Sequence, residues 1–108
     1  MTEKELVLTL ATKVMEWKRY GETEFWYGDN GNLFDSSFWN PLQNIADAWQ
    51  VVEKLLSQYL LFDLSAEEDG WRATFKLVDT TFVDTKQWEA SGDTPQEAIC
   101  TAAIELVA

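Results

Sequence analysis

The sequence predicts an α+β fold in the order α-(ββ)-α-βββ-α: a small antiparallel sheet, made of a three-strand meander plus an N-terminal hairpin, flanked by three helices. Three observations predict it. Capping signals open helical segments at Thr2, near Asn40 and at Thr94. Apolar residues recur at three and four positions after each of them. Between the second and third segments the period changes to two. The chain has 108 residues and 12.4 kDa, the size of one domain over residues 1–108. With 46% hydrophobic and 14% aromatic residues it carries the material for a core, which intrinsically disordered chains lack.

The first helix opens on Thr2-Glu3-Lys4-Glu5, a capping box in which hydroxyl and carboxylate satisfy orphan backbone donors. Val7, Leu10, Val14 and Trp17 then form one apolar stripe. Lys18 and Arg19 are expected in its last turn, where the helix dipole favours cations, and Gly21 is expected to end it.

Residues 22–39 read as an aromatic hairpin or long loop. Thr23 to Tyr27 would be one strand and Leu33-Phe34 its partner, across Gly28-Asp29-Asn30-Gly31-Asn32.

The second helix has two candidate starts. Asn40 with Pro41 and Gln43 has the order of cap, first-turn proline and capping-box residue. Asn44 with Asp47 in the first turn is the alternative. Leu42, Ile45, Trp49, Val52, Leu56 and Tyr59 follow at helical spacing, and Ala48, Val51 and Leu55 widen that stripe.

Three strands come next. Phe62, Leu64 and Ala66 alternate with polar residues up to the turn Glu67-Glu68-Asp69-Gly70. Trp71, Ala73, Phe75 and Leu77 should face inward, with Arg72, Thr74 and Lys76 opposite. A third strand is expected from about Phe82 to Ala90, closed by Ser91-Gly92-Asp93. The short connections imply an antiparallel meander.

Thr94-Pro95-Gln96-Glu97 starts the third helix with cap, proline and capping-box acid in order. Ile99, Ala102, Ala103 and Leu106 form one face, and Cys100, Ile104 and Val107 another. Such a helix should pack on a sheet with one side and on a helix or a second subunit with the other.

Charge narrows the functions. Eight bases against 19 acids give a net charge of -11 and a pI near 4.2. Residues 1–20 carry a net +1 from Lys4, Lys13, Lys18 and Arg19 against Glu3, Glu5 and Glu16, so the remainder carries -12. Phosphate backbones are bound by lysine and arginine, so bulk nucleic acid is not an expected partner. The order of helix, three strands and helix over 41–107 resembles a double-stranded-RNA-binding domain. The phosphate-gripping lysines at the start of its last helix are replaced here by Asp93-Thr94-Pro95-Gln96-Glu97. No apolar run approaches the length of a membrane span. The stretch Leu6 to Ala11 is too short for a secretory signal, so a cytoplasmic location is expected.

Chemistry narrows them further. There is no histidine, and the single Cys100 can form neither an internal disulfide nor a cysteine-rich zinc site. A buried helix position suits Cys100 better than a nucleophile without a base. Asp29 to Asp35 fails the EF-hand pattern because Gly31 and Leu33 stand where oxygen ligands belong, and Glu67-Glu68-Asp69 reads as a solvated tip. No phosphate loop, dinucleotide glycine signature or nucleophile elbow occurs. No enzyme activity, metal or cofactor is expected.

The aromatic set Phe25, Trp26, Tyr27, Phe34, Phe38 and Trp39 lies mostly outside the helices. Six tryptophans exceed what a small core needs. These rings either close the core or present a pocket or interface, with Trp26 and Trp39 favoured as contacts.

Two segments resemble a known family. Trp39-Asn40-Pro41-Leu42-Gln43-Asn44-Ile45-Ala46-Asp47-Ala48-Trp49-Gln50-Val51-Val52-Glu53-Lys54-Leu55 has the N/D-P lead into an A-W-x-V-V-E-K helix. Thr94-Pro95-Gln96-Glu97-Ala98-Ile99-Cys100-Thr101-Ala102-Ala103 has the T-P-x-x-A-I-C-x-A-A ending, and Met15-Glu16-Trp17 fits the same pattern. Together they resemble the phage "ABA sandwich" domain family of small phage and prophage proteins. Gln43-Asn44 stands where that family commonly has Ser/Thr-Asp before the isoleucine. The resemblance implies helices flanking a small antiparallel sheet and a phage-derived origin, and brings no catalytic residues.

The functional expectation is a non-enzymatic protein acting by stoichiometric capture of a host or defence component, such as a nucleotide immune signal. Trp26, Tyr27 and Trp39 would stack the base. Lys18, Arg19 or Arg72, with the amides near Asn40, would meet the phosphates. An acidic inhibitor or nucleic-acid mimic and a virion assembly protein are the alternatives. The two-sided third helix and the surplus tryptophans imply a homo-oligomer.

Overall fold

The computed structural model describes residues 2–19, 21–22, 25–28, 33–77 and 86–108. Helix α1 spans Glu3–Thr9 and continues as a π-helical turn over Leu10–Val14. The Thr2 hydroxyl accepts from the Glu5 amide at 3.2 Å, the first half of the expected capping box. Leu10, Ala11, Val14 and Met15 are all buried. The helix ends earlier than its stripe implies. Glu16 adopts φ 61°, a left-handed conformation unusual for a residue with a Cβ, and turns the chain away. Lys18–Arg19 therefore form a short strand, β1, rather than the helix's last turn.

Strand β1 pairs antiparallel with β2 (Phe25–Tyr27), which pairs with β3 (Leu33–Asp35). The hairpin expected at 22–39 is present and gains β1 as a third strand. Its first residues, Thr23 and Glu24, and the turn 29–32 lie outside the described residues. A 3-10 turn over Ser36–Phe38 follows, its start held by the Asp35 carboxylate, which accepts from the Ser37 amide at 2.9 Å.

Helix α2 runs from Ile45 to Leu56, with Asn44 as its cap. The Asn44 side chain accepts from the amides of Ala46 (2.9 Å) and Asp47 (3.2 Å). Asn40 instead closes the preceding turn: its carbonyl accepts from Gln43 and Asn44, and its side chain from Leu42. Of the two candidate starts, the second is the real one. The buried arc is also rotated from the expected stripe. Ala48, Val51, Val52 and Leu55 are buried, while Ile45, Trp49, Leu56 and Tyr59 are exposed.

The meander is present as β4 (Leu60–Glu67), β5 (Gly70–Leu77) and β6 (Gln87–Gly92), in that spatial order and antiparallel throughout. Phe82, where the last strand was expected to start, lies outside the described residues, and β6 runs on through Gly92. Ala73 and Phe75 are fully buried on the inner face, with Trp71 and Leu77 half-buried beside them. Helix α3 (Pro95–Val107) has the cap read from sequence: Thr94 accepts from the Glu97 amide at 3.1 Å. The Glu97 carboxylate reaches back to the Asp93 amide at 3.3 Å. The helix lies on β5 and β6 and meets α2 and the π-turn with its other side. Gly92 permits this closeness, since a Cβ there would stand 2.7 Å from the Ala98 amide nitrogen. Burying a side chain such as Phe75, Ile99 or Leu55 in this layer contributes roughly 1.5–3 kcal/mol each. No helix among the described residues is long and apolar enough to cross a membrane.

Candidate ligand-binding cleft

Strand alternation sorts the aromatic and basic residues of the first sheet. Arg19 lies opposite Trp26 and Lys18 opposite Tyr27, so the two pairs project to opposite faces. On one face, the Arg19 guanidinium sits 5.5 Å from the centre of the Trp26 ring, a cation–π contact. That face and helix α1 form the walls of a cleft of about 560 Å³. Val7, Leu8, Trp26 and Trp39 line its apolar part, and Lys4, Arg19, Ser37 and Asn40, with Thr2 and the acid Glu3, its polar part. Such a volume falls within the range of small-molecule sites.

Trp39 is fixed from three directions. Its edge meets Trp17 with ring centres 4.8 Å apart, and its Nε1 donates to Gln50 Oε1 at 2.7 Å. The next residue's amide donates to Asp47 Oδ2 at 2.9 Å. The Asn40 side chain is committed as well: Nδ2 donates to Glu3 Oε1 at 3.2 Å while Oδ1 accepts from Leu42. Gln43 Nε2 donates to the same Glu3 oxygen at 3.0 Å. These bonds, Gln43's before Asn40's, hold the Glu3 carboxyl below its ordinary value of 4.5. The Glu3 carboxylate at the cleft's edge is thus occupied, whereas Lys4 and Arg19 have no acidic partner among the described residues.

The structure brings together four of the seven residues expected at a site: Arg19, Trp26, Trp39 and Asn40. It also corrects several roles. Trp26 and Trp39 are each only 5% exposed, so they are walls rather than projecting stacking platforms, and Arg19 already covers the Trp26 ring. The amides at the start of α2 are taken by Asn44 and are not open to a phosphate. Lys18 and Tyr27 face a separate groove beside Met15 and Lys54. Arg72 is on the other sheet, bound to Glu67 at 3.1 Å and Glu89 at 3.0 Å. Of the aromatic set in residues 25–39, the exposed rings are Phe38, Phe25 and Tyr27, with Phe38 80% exposed; of Phe34 only the backbone is described.

Lys4, Val7 and Leu8 were missed by sequence reasoning. The signal was present in their spacing, which places all three along one side of α1. Cys100 is fully buried on α3, and burial pushes its thiol up to about 12. Among the described residues, no group of acidic or cysteine side chains is arranged to hold a metal ion.

With the geometry in place, comparison with known proteins gives one family and one fold. The model of the phage ABA sandwich domain matches residues 8–104. Comparison with curated proteins found no match. Among solved structures, a phage protein from Bacillus cereus is similar, with a TM-score of 0.64 and 22% identity, over 96% of this chain and 90% of that chain. At that identity the likeness concerns the fold alone.

Proposed function

This chain belongs to the phage ABA sandwich domain family, and from that premise we propose that it is a non-enzymatic capture protein of the host cytoplasm, holding a nucleotide-type ligand in the cleft between α1 and the first sheet. One observation carries the reading. In a chain of net charge -11, two cations without acidic partners among the described residues, Lys4 and Arg19, converge on one largely apolar cleft. The base would lie against Val7, Leu8 and the Trp39 edge. The phosphates would meet Lys4 and Arg19, the guanidinium remaining braced by Trp26. Capture without turnover needs no general base, and the carboxylate in the lining, Glu3, is held by Asn40 and Gln43.

The test is extraction of the purified protein by heat and filtration, followed by mass spectrometry, with thermal unfolding in the presence of cyclic nucleotides and ADP-ribose-type signals. A released nucleotide and a rise in melting temperature are expected. A ligand at a hundred times its Kd stabilises by about 2.7 kcal/mol, easily seen in a domain of this size. Arg19→Glu should remove the shift and Arg72→Glu should leave it. No shift at saturating concentrations of these compounds overturns the reading.

A second reading, an acidic inhibitor occupying a basic host surface, draws on a different observation. The open face of β4–β6 presents Asp63, with Glu67 and Glu89 sharing Arg72 between them, and Phe38 projects nearly free of the fold from the turn before α2. It would give binding that weakens steeply with salt and is abolished by charge reversal on that face.

A further inference from the structure

Strand β4 is the edge of its sheet. Among the described residues it pairs with β5 alone, over all eight of its positions, Leu60 to Glu67. Edge strands of this length are normally blunted by charged side chains, lysine above all, by proline, by a bulge or by a covering element. The charges of β4, Asp63 and Glu67, both lie on its outer face. The sequence Leu-Leu-Phe-Asp-Leu-Ser-Ala-Glu has no lysine or proline, and its register with β5 is unbroken. Exposed apolar side chains also gather at this edge: Trp49 from α2, Tyr59 at 83% exposure in the connecting turn, and Leu61 at 58%.

We propose that β4 is a homodimer interface, pairing antiparallel with β4 of a second copy about a two-fold axis at Leu64, so that two three-stranded sheets become one of six. Charge and side-chain volume select that register. Two strands related by a two-fold axis place residues of one face opposite each other only when the axis passes through a residue. Centred on Asp63, the axis would set that carboxylate directly against its copy, which is repulsive. Centred on Leu64, it sets Asp63 opposite the partner's Ser65 and Leu61 opposite the partner's Glu67.

On β5, Arg72 lies opposite Ser65 and Lys76 opposite Leu61, on the same outer face. Each Asp63 then has the partner's Arg72 one strand farther on, across a small serine. Each Glu67 has the partner's Lys76 across Leu61. Acid meets base along both rows, Asp63 joining the ion pairs that Arg72 already makes with Glu67 and Glu89 of its own chain.

The inner face is complementary by volume. Phe62 falls opposite the partner's Ala66, and the two Leu64 side chains meet on the axis. Trp49, whose ring centre is 5.9 Å from that of Phe62, is thereby placed over the partner's Ala66. This covers a large, half-exposed indole that a single copy leaves open. The occupant is another copy of this chain because both faces of β4 are complementary to themselves in the same register.

Sedimentation equilibrium of the full chain near 0.15 M salt, where long-range repulsion between acidic copies is screened to about 8 Å, tests the proposal. The expected species is a dimer of 12.4 kDa chains. Asp63→Lys, at an exposed position, sets lysine near the partner's Arg72 and should weaken association at least tenfold. Leu64→Cys places two thiols on the axis, at a Cα separation of about 4.5–5.5 Å that a disulfide spans. With oxidised glutathione it should give a covalent dimer, while the wild type, whose thiol is buried, should not. Circular dichroism establishes that both variants are folded. A monomeric wild type at submillimolar concentration overturns the proposal. So does a dimer that is indifferent to Asp63→Lys and fails to cross-link through Leu64→Cys.

Discussion

Trp17 and Trp39 meet edge to face, with ring centres 4.8 Å apart and planes inclined at 71°. Neither belongs to a helix, yet each is under 9% exposed, and the pair seals the junction between the first sheet and the helices. The Trp39 indole nitrogen donates to Gln50 on α2, so this pair ties three segments together.

Trp39→Phe should therefore cost about 1 kcal/mol, because it removes the Nε1 bond but retains a ring, and Gln50 can turn to water. Trp39→Ala should cost about 3–5 kcal/mol through the cavity left behind. Chemical denaturation of both variants distinguishes this junction from a surface ring, for which the two substitutions would differ little.

Asn44→Ala should destabilise by about 0.5–2 kcal/mol and speed amide exchange at Ala46 and Asp47, whose N–H groups the side chain accepts. Asn44→Asp should be neutral or slightly stabilising, as an acid suits a helix start. Exchange at those two amides should be unaffected by Asn40→Ala, since Asn40 serves the preceding turn. The opposite ordering would place the start of α2 at Asn40.

These two cases show what could be read before the structure. The third helix was legible to the residue because Thr94, Pro95 and Glu97 all agree, and only one position satisfies them together. Around 40–47 two asparagines compete, and the choice rests on Asp47, which binds the Asn40 amide from within the first turn. Lys18 and Arg19 resemble a helix end only if the helix reaches them. It stops because Glu16 takes a left-handed conformation, for which no glycine or asparagine gives a local sign. Likewise, helical spacing identified α2 but not its buried arc, since α3 and β4 decide which of two adjacent apolar stripes is covered. The cleft was half legible. Strand parity joins Arg19 to Trp26 once β1 is known, while Arg72 could be assigned elsewhere only after the two sheets were seen to be separate.

Glu3 makes the stability of the α1 attachment pH-dependent. Its carboxylate accepts from both Gln43 and Asn40, which lowers its pKa in the folded protein. A lowered folded-state pKa stabilises above the unfolded value, and that contribution is lost as pH falls through the folded value. The advantage of wild type over Glu3→Leu should thus be constant at neutral pH and begin to shrink near 4.5, continuing below it. Melting temperatures of the two proteins across that interval measure it. A gap that widened on acidification would contradict the sign.

Cys100 provides the sharpest check on the proposal of capture rather than covalent catalysis. Burial pushes its thiol up to about 12, and its side chain is closed off by the same layer that holds Ala98, Ile99 and Ala102. At neutral pH the group is then held as the thiol, whereas a free cysteine is a few per cent thiolate. Access is the second barrier, since a reagent must wait for α3 to leave the sheet. Labelling by a thiol reagent should consequently be negligible in the native protein and should rise in parallel with unfolding as denaturant is added. Cys100→Ala should leave the binding proposed for the cleft unchanged, because no part of the residue lines it. Rapid stoichiometric labelling under native conditions would mean that α3 opens readily, and would return the thiol to consideration as a reactive group.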